Sequence, residues 1–364
     1  MIKFWLTRAT RHFDHFLLGM LLLVIVIALF VLYSASGQSL AQVGRQCVNL
    51  TVALSLMWLL SNVSPQRLES MAMPIYVLGV LLLIGVFLFG DISKGARRWL
   101  DLGVARIQPS EMMKLAVPMM LAWYFARREA TLRLADYGIA SLMLAIPMGL
   151  VLKQPDLGTA LLIGASGFYV LFLAGLSWRL MLGLGALGAA AMPLAWNLMH
   201  DYQRKRVLIL LDPSQDPLGD GYHTIQATIA LGSGGLAGKG WLHGTQAQLD
   251  FLPERHTDFI FAVFGEEFGL LGISLLLILF LMIIARGLVI AADAQNMFSR
   301  LLAGSITLTF FTYAFVNMGM VSGILPVVGV PLPLISYGGT SLVTLLVAFG
   351  MLMSIQTHKK LVPA

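Results

Sequence analysis

The chain has one cysteine, Cys47, among 364 residues. That excludes an intrachain disulfide and a cysteine-held metal cluster. Cys47 falls near the start of an apolar run and reads as a small buried side chain. Charge is scarce: Asp, Glu, Lys and Arg make up 12% of the chain against 58% hydrophobic residues. A soluble domain carries roughly twice that charge. There is no clear internal repeat, so nothing supports a transporter built from inverted halves. His243 and His256 do not stand at a metal-ligand spacing. GSGGLAGKGW (232–241) is not a phosphate loop, because Ser233 takes the place of the first glycine and Gly240 that of the final Ser or Thr. It still reads as a sharply folded loop whose backbone N–H groups could hold oxyanions.

What the chain has is apolar length. Runs fall at 16–35, 47–63, 72–90, 112–126, 137–152, 157–175, 179–199, 258–285, 301–322 and 335–355. About 20 apolar residues cross a hydrocarbon core of ~30 Å. The expectation is an all-α, polytopic membrane protein of ten spans in a single domain, 1–364. An even count puts both termini on one side. The first run is longer than a signal core and follows Lys3, Arg8 and Arg11, so it reads as an uncleaved first span. The seventh, with AlaLeuGlyAlaAlaAla at 186–191, is rich in the small residues that permit close helix packing.

Orientation by basic residues is a tie, twelve of the 24 Lys and Arg on each side. Arg127/Arg128 and Lys359/Lys360 stand directly at helix ends, which places the termini in the cytoplasm. The opposite face then keeps a basic surplus, as expected if it binds an anion. The net charge of +6 suits contact with anionic lipid, and nothing points to nucleic acid. Three outer segments stand out: 91–111, 200–257 and 322–341. The second contains Tyr222, Trp241, Leu249 and Phe251 and is expected to be ordered. The third has Pro326, Pro331 and Pro333 and cannot be a regular helix. Irregular backbone at membrane depth is tolerated against protein or a water-filled cavity.

Ionisable groups inside spans are functional candidates by default. Glu111 and Lys114 share a helix face three residues apart, and can equally be a structural ion pair. Asp156 follows Pro155 and reads as a helix cap. Asp258 opens the eighth span and can cap it, although Thr257 serves as well. Glu266 and Glu267 read as an outer, watery turn. Asn317 lies within the ninth span. Arg97 and Arg98 can be interface anchors.

SKGARRWLDLG, QPSEMMK, QPDLGTA, DPLGDGYHTIQATIALGSGGLAGKGWLHGTQ, FLPERHTDFIFAVFGEEFG and LPVVGVPLPLISYGG together resemble the SEDS family (shape, elongation, division, sporulation) over nearly the whole chain. MHDYQRKRVLILLDPSQDPLG resembles its rod-shape branch in particular. The resemblance implies a ten-helix glycosyltransferase of the bacterial inner membrane. It would polymerise lipid II into β-1,4 glycan strands during elongation, with its active site in the periplasm. It matches the family's essential outer-loop aspartate to Asp258 and its glutamate–lysine pair to Glu111 and Lys114. It also implies a class B penicillin-binding protein as partner, with MreC and MreD in the elongation complex. A supporting divalent cation, magnesium or manganese, is part of that expectation; the sequence has no ligand cluster for one.

The residues suit that chemistry. An alcohol becomes a nucleophile as its proton leaves, and a carboxylate such as Asp258 can accept it as general base. Undecaprenyl pyrophosphate departs as an anion, so it needs cations rather than a second acid. Lys114, Arg97, Arg98, Arg204, Arg206 and Lys239 are the candidates for holding substrate, with Glu111. A single displacement would invert the donor's anomeric centre. A lipid II flippase and a non-catalytic scaffold for a transpeptidase are the competing readings.

Overall fold

The computed structural model describes residues 13–93, 96–101, 106–198, 201–212, 216, 220–248, 252 and 254–358. Every apolar run becomes a helix: α1 (His15–Ala35), α2 (Leu40–Ser61), α3 (Pro65–Phe89), α4 (Pro109–Ala126), α5 (Leu134–Leu152), α6 (Leu157–Leu173), α7 (Trp178–Leu198), α11 (Ile260–Ala292), α12 (Met297–Val321) and α13 (Thr340–Thr357). Seven of them, α1, α2, α3, α5, α11, α12 and α13, are long and apolar enough to cross a membrane. The 200–257 segment contributes three more helices, α8 (Asp201–Leu211), α9 (Asp220–Ser233) and α10 (Thr245–Gln248).

Two helix starts lie well before the apolar runs. Ser39 accepts the Gln42 N–H and starts α2 at Leu40, where polar residues on a helix face cost little. Pro65 takes the first position of α3, where a missing N–H has no helical partner to lose. Cys47 is on the exposed side of α2, not inside.

The 91–111 segment is not all loop. Strands β1 (Asp91–Ser93), β2 (Ala96–Asp101) and β3 (Arg106–Ile107) form an antiparallel sheet in the order β1-β2-β3. Trp99 pairs with Asp91 on one side, and Leu100 pairs with Ile107 on the other. The fold is therefore helical with a small sheet at one end. Strands of two to six residues leave too short a pattern to read in advance.

α12 is the most enclosed of the seven, packed against α11, α6 and α4, while α13 lies along α2 and α1 against α11. Tyr313, Phe310, Phe280 and Phe349 fill the centre, with Phe310 edge-on to both Phe280 and Phe349. Asp14 caps α1 by accepting the Leu17 N–H at 2.8 Å, and its other oxygen accepts Arg286 Nε at 2.9 Å. The small residues of α7 do not produce close packing: almost all its described side chains are exposed. Small residues permit approach but do not drive it.

α11 is broken at Gly269, where φ is +63° and ψ −164°. The loop after α9 repairs the break. Lys239 and Gly240 N–H donate to the carbonyls of Glu266 and Glu267, each at 3.0 Å, while Leu270 and Leu271 N–H donate to Gly235 and Leu236 O at 2.9 and 3.0 Å. Four bonds to the loop replace the two that a continuous helix would make there.

Candidate active site

One end of the bundle holds a cavity of about 380 Å³. The starts of α4 and α6, the turn before α11 and the broken segment 322–339 meet there. Its lining includes Arg98, Glu111, Lys114, Asp156, Glu254 and Asp258. Residues from all three outer segments contribute: Trp99 and Gln108 from the first, Thr257 from the second, Val330 and Tyr337 from the third.

Pro109 and Glu111 occupy the first turn of α4. That turn points Glu111 and Lys114 the same way, and Lys114 Nζ lies 2.6 Å from Glu111 Oε1. Both are buried, so the pair is stronger than a solvated one and costly to break. The ammonium also lies 5.1 Å from the centre of the Tyr313 ring. Among the described residues, Glu111 Oε2 is buried with no hydrogen-bond partner.

Asp156 caps α6, its Oδ1 accepting the Thr159 N–H at 3.1 Å. Arg98 reaches over from β2, with Nη2 2.6 Å from Pro155 O and Nε 3.8 Å from Asp156 Oδ2. The sheet is thereby tied to the α5–α6 turn. Glycine is required where α6 meets the broken segment, since a Cβ on Gly158 would lie 2.5 Å from Val328 O.

Asp258 is half-buried, facing the cavity from a turn. α11 starts after Phe259, which makes no side-chain cap bond. Gly329, at φ +71°, brings bare backbone alongside, where a Cβ would be 3.6 Å from Asp258 Oδ2.

Four of the named residues converge on this cavity: Asp258, Glu111, Lys114 and Arg98. Arg97 is exposed and is not among the described lining residues. Arg204 instead closes the end of α7, donating to Trp196 O at 2.9 Å and Asn197 O at 2.8 Å. Arg206's side chain lies outside the described residues. Lys239 Nζ is held 2.7 Å from Glu266 Oε1 and 2.8 Å from Thr245 Oγ1, away from the cavity lining. Glu266 and Glu267 are not in a watery turn; both are fully buried. Within 232–241 the Lys239 and Gly240 N–H groups go to backbone carbonyls of α11; the carboxylates of Glu266 and Glu267 are met just beyond it, by the Gln246 N–H at 3.0 Å and the Leu242 N–H at 3.2 Å.

The lining is also less cationic than the outer basic surplus implied. Two cations among the described residues face four carboxylates, and each cation has a carboxylate beside it. Among the described residues, no three His, Cys, Asp or Glu side chains gather as a metal site requires. Trp99 is one of the lining residues that the sequence does not single out. Its signal was an aromatic directly after two arginines in a loop.

A family model described as a cell cycle protein, FtsW/RodA/SpoVE, matches residues 14–361. The chain belongs to the SEDS family. This SEDS protein is 54% identical over 351 residues to the peptidoglycan glycosyltransferase MrdB of Escherichia coli K12, covering 96% of this chain and 95% of that one. It is 39% identical to a probable peptidoglycan glycosyltransferase FtsW of Geobacter metallireducens, over 88% and 86% of the two chains. Among solved structures, a chain of a peptidoglycan synthase complex that coordinates polymerization and crosslinking aligns with a TM-score of 0.83 and 34% identity, covering 94% of this SEDS protein and 97% of that chain. The rod shape determining protein RodA of Thermus thermophilus aligns with a TM-score of 0.71 and 31% identity, over 94% and 96% of the chains.

Proposed function

We propose that this SEDS protein is a peptidoglycan glycosyltransferase of the elongation type, joining lipid II units into β-1,4 glycan strands. The observation that carries the reading is the convergence of Asp258, the Glu111–Lys114 pair and Arg98 on one cavity. It is supported by the 54% identity to MrdB over almost the full length of both chains.

The acceptor's sugar hydroxyl lies against Asp258. The carboxylate takes its proton as the oxygen attacks the donor's anomeric carbon, a contribution of ~10²–10⁴-fold. The bond to the diphosphate breaks on the opposite face, so the configuration inverts. Lys114 has three donors, and one is given to Glu111. The remaining donors, with the Arg98 fork, face the oxygen that gains charge as undecaprenyl pyrophosphate leaves. Glu111 holds the Lys114 ammonium at the cavity wall. A magnesium or manganese ion would supply counter-charge to the diphosphate.

The protein is a multi-pass membrane protein. We place it in the inner membrane with ten spans and cytoplasmic termini, so that segments 91–111, 200–257 and 322–341 form a periplasmic active-site face. The proline-broken third segment leaves a side opening for polyprenyl tails. A class B penicillin-binding protein cross-links the emerging strand, with MreC and MreD in the same assembly.

Purified protein given labelled lipid II should make long glycan chains. Asp258→Asn and Asp258→Ala should abolish them while folding is retained. Polymer at the normal rate from Asp258→Ala would reject the base. Lipid II translocation without any polymer would favour the flippase.

A further inference from the structure

Three successive carbonyl oxygens precede α11, and each is taken by a donor from elsewhere in the chain. Tyr337 N–H donates to His256 O at 2.8 Å. Ser336 Oγ donates to Thr257 O at 2.6 Å. Asn317 Nδ2 donates to Asp258 O at 2.8 Å. The same nitrogen donates to Val330 O at 2.7 Å. An amide nitrogen has two hydrogens, and both are used.

Asp258 and Val330 line the cavity; Asn317, fully buried in α12, is not among its lining residues. Its amide therefore ties two walls of the cavity together from behind. Ser336 makes a second tie, accepting the Leu332 N–H at 2.8 Å while it donates to Thr257. The ties matter because Asp258 stands two residues before the helix begins, in a turn held internally by bonds from the Thr257 and Phe259 N–H groups to Glu254 O at 3.0 and 3.4 Å.

A buried asparagine in a span can be mere helix-to-helix glue. The acceptors of Asn317 Nδ2, Asp258 O and Val330 O, both lie in non-helical segments rather than on a neighbouring span. Both hydrogens go to the carbonyls beside the base and in the facing wall.

We infer that Asn317, assisted by Ser336, is a positioning residue that fixes the Asp258 carboxylate relative to the broken segment. This rests on the reading of Asp258 as the base. A displacement of about 1 Å at a reacting group can cost ~10²-fold.

The test uses the full-length purified protein. Asn317→Leu keeps the volume and removes both donors. It should lower kcat for lipid II polymerisation about 10–100-fold, change KM by less than about threefold, and leave the thermal midpoint unchanged or higher. Ser336→Ala, a milder break in the same clamp, should lower kcat about 3–10-fold and remains informative if Asn317→Leu does not fold. A nitroxide on Asp258→Cys, in a Cys47→Ser background, should become more mobile when Asn317→Leu is added. Full kcat from Asn317→Leu, with Asp258→Asn inactive, overturns the inference and leaves the base intact. So does a kcat loss that tracks the thermal midpoint with an unchanged nitroxide spectrum. Activity in Asp258→Asn would instead sink the base.

Discussion

The carbonyl oxygen of Glu266, whose partner in an unbroken helix would be the N–H of Leu270, accepts the N–H of Lys239 at 3.0 Å. The side chains of the same two residues are 2.7 Å apart. Backbone and charge thus join the loop to α11 at the same place. The break at Gly269 belongs to a loop–helix unit in which the loop takes up the backbone groups that the break frees.

That unit depends on two glycines. Gly238 has φ +78°, and a Cβ there would lie 2.1 Å from Glu267 O; on Gly269, at φ +63°, a Cβ would lie 2.3 Å from Gly238 N. Gly238→Ala and Gly269→Ala should each destabilise by about 1–3 kcal/mol from backbone strain, before any clash. A lowered thermal midpoint in detergent checks this.

Lys239→Met leaves the buried Glu266 carboxylate without its cation. It should cost about 1.5–3 kcal/mol. Adding Glu266→Gln should recover part of the loss, as expected for a coupled pair. The four thermal midpoints of the cycle give the coupling. Because Lys239 does not line the cavity, KM for lipid II should stay near normal in whatever fraction folds.

Lys114→Ala should impair donor use rather than partner binding. Loss of one donor to developing charge costs ~10²–10³-fold in rate. The readout is turnover against lipid II concentration, beside retention of the penicillin-binding protein on the purified complex. Unchanged turnover at limiting lipid II would remove Lys114 from the site.

Gly158→Ala tests the wall between α6 and the broken segment. The new Cβ, 2.5 Å from Val328 O, must push that strand of backbone aside. Polymerisation should fall about tenfold or more, as misplacement at a distance predicts, while membrane insertion is kept. Normal activity would mean that the segment shifts without moving Asp258.

The spans were legible because apolar length is written in consecutive residues. Their ends were less so. α2 and α3 start early because Ser39 and Pro65 begin helices through polar stretches that a hydropathy reading skips. The sheet at 91–107 stayed hidden because its pairing lies between segments too short to show alternation. In the site, Asp258, Glu111, Lys114 and Arg98 stood out as ionisable groups at the ends of apolar runs. Lys239 and Arg204 stood out as basic residues of the outer 200–257 segment, and their side chains bond Glu266 and the end of α7. A charge in a sequence does not reveal its partner, and Glu266 lies 27 residues beyond Lys239. Asn317 was visible as a polar residue in a span, but its two bonds, to segments on either side of it, exist only once the chain has folded.

The bond from Arg286 to Asp14 spans 272 residues. A ribosome making this protein releases the first helix toward the bilayer long before the arginine that neutralises its foot has been translated. Completion of the bundle must therefore wait for the eleventh helix, whose Arg286 closes against Asp14.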